Sequence, residues 1–135
     1  MRRRLACLLL LTMPAACATL SGGPTTASFP VFFAPYSADL DQQALDAVHA
    51  ASSFAKANAR QPVILIGYAA PPDPGRDVPG LSDKRAEAVK TALVSDGIAP
   101  NRISTVAQGT TVPKDNMPSV SVRRVDISVG QLPPN

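Results

Sequence analysis

The sequence predicts an α+β fold, a two-layer sandwich with two helices packed on one face of a mixed four-stranded sheet. Four segments have the length and the apolar character of strands, of which residues 62–68 (PVILIGY) are the clearest. Two further segments repeat apolar residues at helical spacing. The elements follow in the order β-α-β-α-β-β, and placing both helices on one face of the sheet buries their apolar stripes most economically.

The first third of this fold contains a strand and a helix. Residues 29–33 have strand character, and the helix begins after Ser37, with Asp39 or Asp41 as the residue that caps its first turn. The predicted buried stripe of this helix consists of Leu40, Ala44, Leu45, Val48, Ala51 and Ala55. The apolar pattern ends near Asn58, where we expect the helix to end.

The centre of the chain is a strand, a proline-rich loop and a second helix. Residues 69–80 (AAPPDPGRDVPG) interrupt any regular structure, and Ser82 is placed to cap the helix that follows. The apolar stripe of this helix is Ala86, Val89 and Leu93. Gly97 followed by Ile98 predicts a Schellman-type helix end, because glycine accepts the left-handed conformation that this motif requires.

The last third of the fold supplies two strands. Residues 103–107 form the third strand, residues 108–119 a loop, and residues 121–129 the fourth strand. The fourth strand alternates in polarity, so three branched residues are expected to face the core: Val125, Ile127 and Val129. Arg123 lies on the same side near the beginning of this strand.

The N-terminus has the features of a secretory signal over residues 1–18: a run of arginines, a short apolar segment and small residues. The apolar segment is too short for a membrane span. Two processing routes remain open. Cleavage after Ala18 would release a soluble periplasmic protein, whereas PAAC resembles a bacterial lipobox in which Cys17 is the lipid-modified residue. In bacterial lipoproteins, a residue other than Asp after the cysteine usually directs the protein to the outer membrane. Ala18 therefore predicts an outer-membrane location facing the periplasm.

We expect residues 19–28 to form a flexible tether, residues 29–130 a single domain and residues 131–135 a disordered tail. The formal charge of +3 comes from the three N-terminal arginines, so the rest of the chain is balanced in charge. This balance, with no tryptophan and only two tyrosines, argues against a nucleic-acid partner. Cys7 lies within the signal, so the mature chain cannot form an internal disulfide.

The residues favour neither catalysis nor a metal site, and no cofactor is expected. His49 is the only histidine, lies within the first predicted helix, and has no neighbouring Cys or second His that could complete a set of metal ligands. No nucleophile motif or phosphate-binding glycine loop is present. Asp73 and Asp77 share one loop, but a solvated loop does not raise the pKa of a carboxyl group for acid–base work.

A set of residues around the second helix, together with a short motif near the C-terminus, carries a family resemblance. The matching positions are Gly67, Leu81, Ser82, Arg85, Ala86, Val89, Leu93, Gly97, Ile98, Gly109, Arg123, Arg124 and Val125. On these residues, over about positions 31–129, the chain resembles the OmpA-like domain family. This family includes the C-terminal domain of outer membrane protein A and the peptidoglycan-associated lipoprotein.

The resemblance implies a non-covalent association with peptidoglycan. In the family an Asp and the Arg of the LS-x-x-RA motif hold the diaminopimelate of the stem peptide. Arg85 occupies the Arg position here, but Ala70 occupies the Asp position and Tyr68 that of a His. Two family asparagines are replaced by Val78 and Val122. We therefore expect binding to be weakened.

The expected ligand-binding residues are Arg85, Arg123, Tyr68 and Asp73. An alternative for Arg85 is that it pairs with a nearby aspartate (Asp73, Asp77 or Asp83) and only holds the loop. For Arg123 and Arg124 we expect one side chain at the pocket and the other at a solvated edge. An alternative for the whole domain is a structural role in an envelope protein complex without any cell-wall ligand.

Overall fold

The computed structural model describes residues 26–73 and 78–130. The predicted signal, Cys17 and the predicted tail lie outside these residues, as does most of the tether. The elements are β1 (Ala27–Phe32), α1 (Gln42–Ala57), β2 (Val63–Ala69), α2 (Leu81–Ser95), β3 (Ile103–Thr110) and β4 (Arg124–Val129). Short 3₁₀ turns precede the last two strands, at Pro100–Arg102 and Ser119–Val122. This confirms the predicted fold class and element order.

The sheet has the order β1-β4-β2-β3. β4 runs antiparallel to both of its neighbours, whereas β2 and β3 are parallel. β1, β2 and β3 therefore all point in one direction, and their carboxyl ends meet at one end of the domain. Both helices pack on the same face, and the core between the layers includes Val31, Val48, Leu65, Val89, Leu93 and Ile127.

Gly67 allows α2 to lie close to β2. A Cβ atom at this position would come within 2.3 Å of the Ser82 carbonyl oxygen and 3.3 Å of the Ala86 Cβ. A carbon atom cannot lie 2.3 Å from a carbonyl oxygen, so only glycine permits this approach. The close approach sets α2 directly over the end of β2.

Three predicted helix boundaries are confirmed. The Asp41 carboxylate accepts a hydrogen bond from the backbone N–H of Ala44 at 2.8 Å, which caps α1. α1 ends at its C-cap Asn58. Gly97 adopts a φ of 94°, and the Ile98 N–H donates to the Leu93 carbonyl at 3.0 Å, which is the Schellman geometry.

Ser82 as the cap of α2 is wrong. The helix begins at Leu81, with Gly80 in the N-cap position at a φ of 66° and no side-chain hydrogen bond to the first turn. Left-handed Gly80 turns the chain into the helix two residues earlier than a cap at Ser82 would, which leaves Ser82 buried inside the first turn. Leu45, predicted to be buried, is only half-buried.

Three strand boundaries also differ from the predictions. β1 begins at Ala27, so the last two residues of the predicted tether pair with β4. β3 continues to Thr110. β4 begins only at Arg124, because the preceding residues form a 3₁₀ turn. No helix in the described part of the chain is both long and apolar enough to cross a membrane.

Candidate functional site

A cavity of about 340 Å³ lies at the carboxyl ends of β1 and β2, beside the first turns of α2. Its wall includes Tyr36, Ala70, Asp73, Arg85, Ser119 and Arg123. Three of the four residues predicted to bind a ligand therefore meet here: Arg85, Arg123 and Asp73.

Arg85 joins the ends of three chain segments. Its side chain is fully buried, and its Nε donates to the Ser37 carbonyl at 2.9 Å. Its Nη1 donates to the Tyr68 carbonyl at 3.0 Å and its Nη2 to the Ala34 carbonyl at 3.1 Å. A guanidinium has five N–H donors, so these bonds leave two for other acceptors. Arg85 thus fixes the loop after β1 to the end of β2 and still contributes charge to the cavity.

The positive charge of Arg85 has no carboxylate counter-ion among the described residues. It forms no ion pair with Asp73 or Asp83, and the third predicted alternative, Asp77, lies outside the described residues. Burial, and then the nearby charge of Arg123, lower the pKa of Arg85 to about 10, so the guanidinium remains charged at neutral pH. A buried cation without a counter-ion is unfavourable, and an anion in the cavity would relieve this cost.

Of the two arginines at the beginning of β4, one lies at the cavity, as expected, but the other is not a solvated edge charge, since it is half-buried and paired on a central strand. Arg123 lines the cavity and donates from Nη1 to the Ser119 hydroxyl at 2.7 Å. Arg124 lies on the other face of the sheet, where its Nε contacts the Asp126 carboxylate at 2.8 Å. The cavity is therefore lined by two guanidinium groups, those of Arg85 and Arg123.

Asp73 supplies a negative charge at the rim of the cavity. The Tyr36 hydroxyl donates a hydrogen bond to the Asp73 carboxylate, although the two residues are far apart in the sequence. Tyr36 has a φ of 59°, a left-handed conformation that is uncommon for a bulky residue and often found at functional sites. Sequence reasoning missed Tyr36, because no local pattern marks an isolated aromatic residue in a loop.

The Tyr68 side chain, also predicted to bind the ligand, does not line this cavity. Gly67 faces the helices, so the next residue along β2 faces the opposite side of the sheet. There the Tyr68 ring lies 4.7 Å from the Arg124 guanidinium carbon. Burial and the charge of Asp126 raise the pKa of Tyr68, against the effect of Arg124. Only the backbone carbonyl of Tyr68 reaches the site, through Arg85.

Two of the three apolar replacements, Ala70 and Val78, line cavities at this end of the domain. Ala70 forms part of the wall of the first cavity, and together with Val78 it also lines a second cavity of about 280 Å³ that shares Tyr36 and Leu81 with the first. Val122 is buried. The site can therefore accept an anion at its two guanidinium groups, while Asp73 at the rim is its single carboxylate among the described residues.

His49 lies away from this site. It is exposed on α1, and its Nδ1 lies 2.7 Å from the Asp96 carboxylate at the end of α2. The Ser52 hydroxyl donates to the same carboxylate oxygen at 2.8 Å. Within the described residues there is no group of three His, Cys, Asp or Glu side chains that could hold a metal ion.

Comparison with known proteins identifies a matching family and solved structures with a similar fold. The OmpA family matches residues 32–125 of the sequence. A search of curated proteins finds no significant match. Solved structures with a similar fold include the OmpA-like domain of FopA1 from Francisella tularensis (24% identity, TM-score 0.66, 77% of this chain and 71% of that one).

Two further structures show the same fold. The peptidoglycan-associated lipoprotein from Burkholderia pseudomallei has 21% identity and a TM-score of 0.62, with 75% of this chain and 89% of that one covered. The periplasmic domain of Helicobacter pylori MotB has 17% identity and a TM-score of 0.63, with 78% and 74% covered. At these identities the likeness concerns the fold.

Proposed function

The chain belongs to the OmpA family, and from that premise we propose that it is a cell-envelope domain that binds peptidoglycan stem peptides non-covalently. The observation that carries this proposal is the pair of guanidinium groups, Arg85 and Arg123, in one cavity without a carboxylate partner among the described residues. Such a pair suits a carboxylate ligand, because a guanidinium can bind it through two parallel hydrogen bonds.

The expected ligand group is the end of diaminopimelate, which carries a carboxylate and an ammonium group on one carbon. Arg85 and Arg123 can bind the carboxylate. The Ala70 side chain, at the position of the family Asp, cannot accept a hydrogen bond from the ammonium group, and the carboxylate of Asp73 at the rim already accepts one from the Tyr36 hydroxyl. Losing one partner of a desolvated charge pair typically costs a few kcal/mol, or about two orders of magnitude in affinity. We therefore expect weak association with peptidoglycan.

A sacculus pull-down tests this proposal. The unaltered protein should sediment weakly with purified sacculi at moderate salt, which suppresses non-specific adsorption. Ala70→Asp should increase binding by about tenfold or more, because it restores an acceptor for the ammonium group. Adding Arg85→Ala or Arg123→Ala to Ala70→Asp should abolish the gain, and circular dichroism identifies any variant that has lost its fold.

Arg124→Ala is the matched control, because it removes the neighbouring guanidinium on the opposite face of β4. In the Ala70→Asp background it should leave binding unchanged. Strong sedimentation of the unaltered protein that neither Arg85→Ala nor Arg123→Ala reduces would contradict the proposal and place the ligand site elsewhere.

A structural role in an envelope protein complex is the second candidate. The apolar side chains of Ala70, Val78 and Val122, where the family has polar ones, favour it. Under this alternative, neither the unaltered protein nor Ala70→Asp would sediment with sacculi, and the domain would act through contacts with other envelope proteins. We propose no catalytic activity and no nucleic-acid partner for either candidate.

We further propose that the protein is a lipoprotein of the outer membrane that faces the periplasm, with Cys17 as the lipidated residue. The support is the small-residue motif that ends in Cys17, directly after an apolar signal segment. Ordinary cleavage after Ala18 is the alternative, and it would give a soluble periplasmic protein.

A further inference from the structure

The two edges of the sheet differ in how well they are protected against pairing with another strand. β1 is one edge strand, and Pro30 at its centre removes a backbone donor from that edge. β3 is the other edge strand, and its sequence ISTVAQGT contains neither a proline nor a charged residue. Natural sheets usually protect their edges with such residues. The edge at β3 is therefore open by comparison.

The outer side of β3 is accessible. Residues 104–108 are all exposed, and Val106 has an exposed fraction of 41%. Within residues 26–73 and 78–130, β3 pairs with no strand other than β2. A register shift and the left-handed Gly109 disturb the last residues of β3, so the regular part of the ladder runs from Ile103 to Ala107. Five residues with this regularity are sufficient to pair with a short strand.

A groove runs beside this edge, between β3 and α2. Thr105 is paired with Leu65 and Ala107 with Gly67, so both side chains lie on the face that carries the helices. With four side chains of α2 they line a groove of about 360 Å³. The α2 residues are Asp83, Lys84, Ala86 and Glu87. A strand added along β3 would place every second side chain in this groove.

The groove is net negative, because two carboxylates and one ammonium group line it. The only side-chain partner of Glu87 among the described residues is Lys90, at 3.5 Å, and the Glu87 side chain is 64% exposed. Thr105 and Ala107 are short and leave room above the floor of the groove. These features are complementary to a long basic side chain flanked by small ones.

We propose that β3 is a docking edge for an extended segment of a partner protein, which adds as a fifth strand and places a Lys or Arg side chain in the groove beside α2. Backbone hydrogen bonds to the edge supply affinity in this mode of recognition, and the groove supplies specificity. The surface is separate from the cavity at Arg85, since Glu87, Thr105 and Ala107 do not line that cavity.

A second copy of this chain fits the groove less well. If β3 paired with β3 of another copy, the side chains brought to each groove would come from ISTVAQGT, which has no basic residue. The partner strand would bring no cation to the acidic groups of either groove. The charge of the groove therefore favours a different partner.

The test uses a fluorescent ten-residue peptide that alternates lysine with threonine or valine, and the purified full chain. We expect saturable binding by fluorescence anisotropy, and protection of the β3 amides from hydrogen exchange. Replacing each lysine of the peptide by glutamate should weaken binding by about tenfold or more, because like charges then meet in the groove. Methylating the backbone nitrogens of the peptide should also weaken it, because the added strand loses its donors.

Two substitutions at neighbouring positions distinguish a charge placed in the groove from the same charge placed elsewhere on β3. Ala107→Lys places a cation in the groove and should reduce binding of the lysine peptide by about tenfold. Val106→Lys adds the same charge on the opposite face of β3 and should have a much smaller effect. Glu87→Lys should transfer the preference to the glutamate peptide.

Three results would overturn the proposal: no saturable binding of the lysine peptide, equal loss from Ala107→Lys and Val106→Lys, or protection of amides in β1 rather than in β3. Concentration-dependent dimerisation that Ala107→Lys abolishes, without any peptide binding, would show that the edge pairs with a second copy instead. None of these results bears on the sacculus assay, which reports on the cavity at Arg85.

Discussion

Arg85 combines a structural role with a charge that no carboxylate among the described residues neutralises. Its three hydrogen bonds go to backbone carbonyls of Ala34, Ser37 and Tyr68. The Ala34 carbonyl also accepts from the Ser37 N–H at 3.3 Å, so Arg85 adds a second donor there and joins the ends of β1 and β2. The site and the fold therefore depend on the same side chain, and a substitution at Arg85 affects both.

Arg85→Ala should destabilise the protein by about 3 kcal/mol or more, since it removes three hydrogen bonds from a charged donor, and such bonds contribute about 1.5–3 kcal/mol each. Arg85→Lys should recover only part of this loss, because an ammonium group cannot reach three carbonyls in the fork geometry of a guanidinium. Arg123→Ala is the control, and its half-buried side chain should contribute about 1 kcal/mol or less. Urea unfolding of the three variants measures these differences. Equal losses for Arg85→Ala and Arg123→Ala would contradict the structural role.

The sequence indicated three residues that line the cavity, Arg85, Arg123 and Asp73, but it misplaced Tyr68 and did not indicate how the residues are connected. Arg85 and Arg123 could be identified because they lie in short motifs. The bonds from Arg85 to Ala34 and Ser37 span distant parts of the chain, and backbone acceptors leave no mark in a sequence. The same holds for Tyr36, whose role depends on a left-handed backbone and on contact with Asp73.

The elements were predictable where a periodic pattern and a strong boundary residue agree. The stripe of α2 and its end at Gly97 are of this kind. The beginning of α2 is different, because Gly80 and Ser82 are both reasonable first residues and only the approach of α2 to β2 decides between them. That approach is set by Gly67, whose missing Cβ leaves room for the Ser82 carbonyl.

At the level of the helix, Leu93→Ala should cost about 2–5 kcal/mol, the usual range for truncation of a large core side chain. Leu93 is fully buried between the layers. Val94 is the next residue and is 37% exposed, so Val94→Ala should change stability by about 0.5 kcal/mol or less. Chemical unfolding of both variants tests which face of α2 is buried. A cost below about 1 kcal/mol for Leu93→Ala would mean that Leu93 does not face the core.

The two helices are also joined through Asp96. Burial alone would raise the pKa of this carboxyl group, but hydrogen bonds from Ser52 and His49, and the charges of His49 and Lys56, lower it overall. A carboxyl group whose pKa is lower in the folded state stabilises the protein at pH values above its unfolded pKa, near 4. This stabilisation is lost as the pH falls through the folded pKa.

We therefore expect acid to destabilise the unaltered protein more than Asp96→Asn. Thermal unfolding measured from neutral pH to about pH 3 should show a shallower loss for Asp96→Asn, because the variant has no charge to lose at this position. Ser52→Ala should give an intermediate result, since it removes one of the hydrogen bonds that lower the pKa of Asp96. Identical pH profiles for all three proteins would exclude a contribution from Asp96.

At the scale of the whole molecule, the order of elements and the family resemblance were enough to predict the fold, and the OmpA family match confirms the resemblance. Burial of the apolar stripes leaves few other ways to arrange four strands and two helices. The order β1-β4-β2-β3 and the exposure of the β3 edge depend on pairing between distant strands, which the pattern of one sequence does not specify.

If Cys17 is lipidated, the mature protein should exceed the mass of the chain that begins at Cys17 by its glyceryl and acyl groups. Cys17→Ser should release the protein from membranes, because the substitution removes the site of the acyl chains on which stable retention depends. Mass spectrometry of the mature protein and fractionation of cells measure both effects. A mature N-terminus at Thr19 would exclude the anchor.

The pairing of β1 with β4 has a consequence for how the domain would stand on a membrane. Ala27 faces Val129 across this pair, so the chain enters and leaves the domain at one pole. The cavity lies at the other pole, about 20 Å away along the strands. A lipid attached upstream of Thr26 would therefore hold the end of the domain at which the chain enters. The opposite end, with Arg85 and Arg123, would project toward the cell wall.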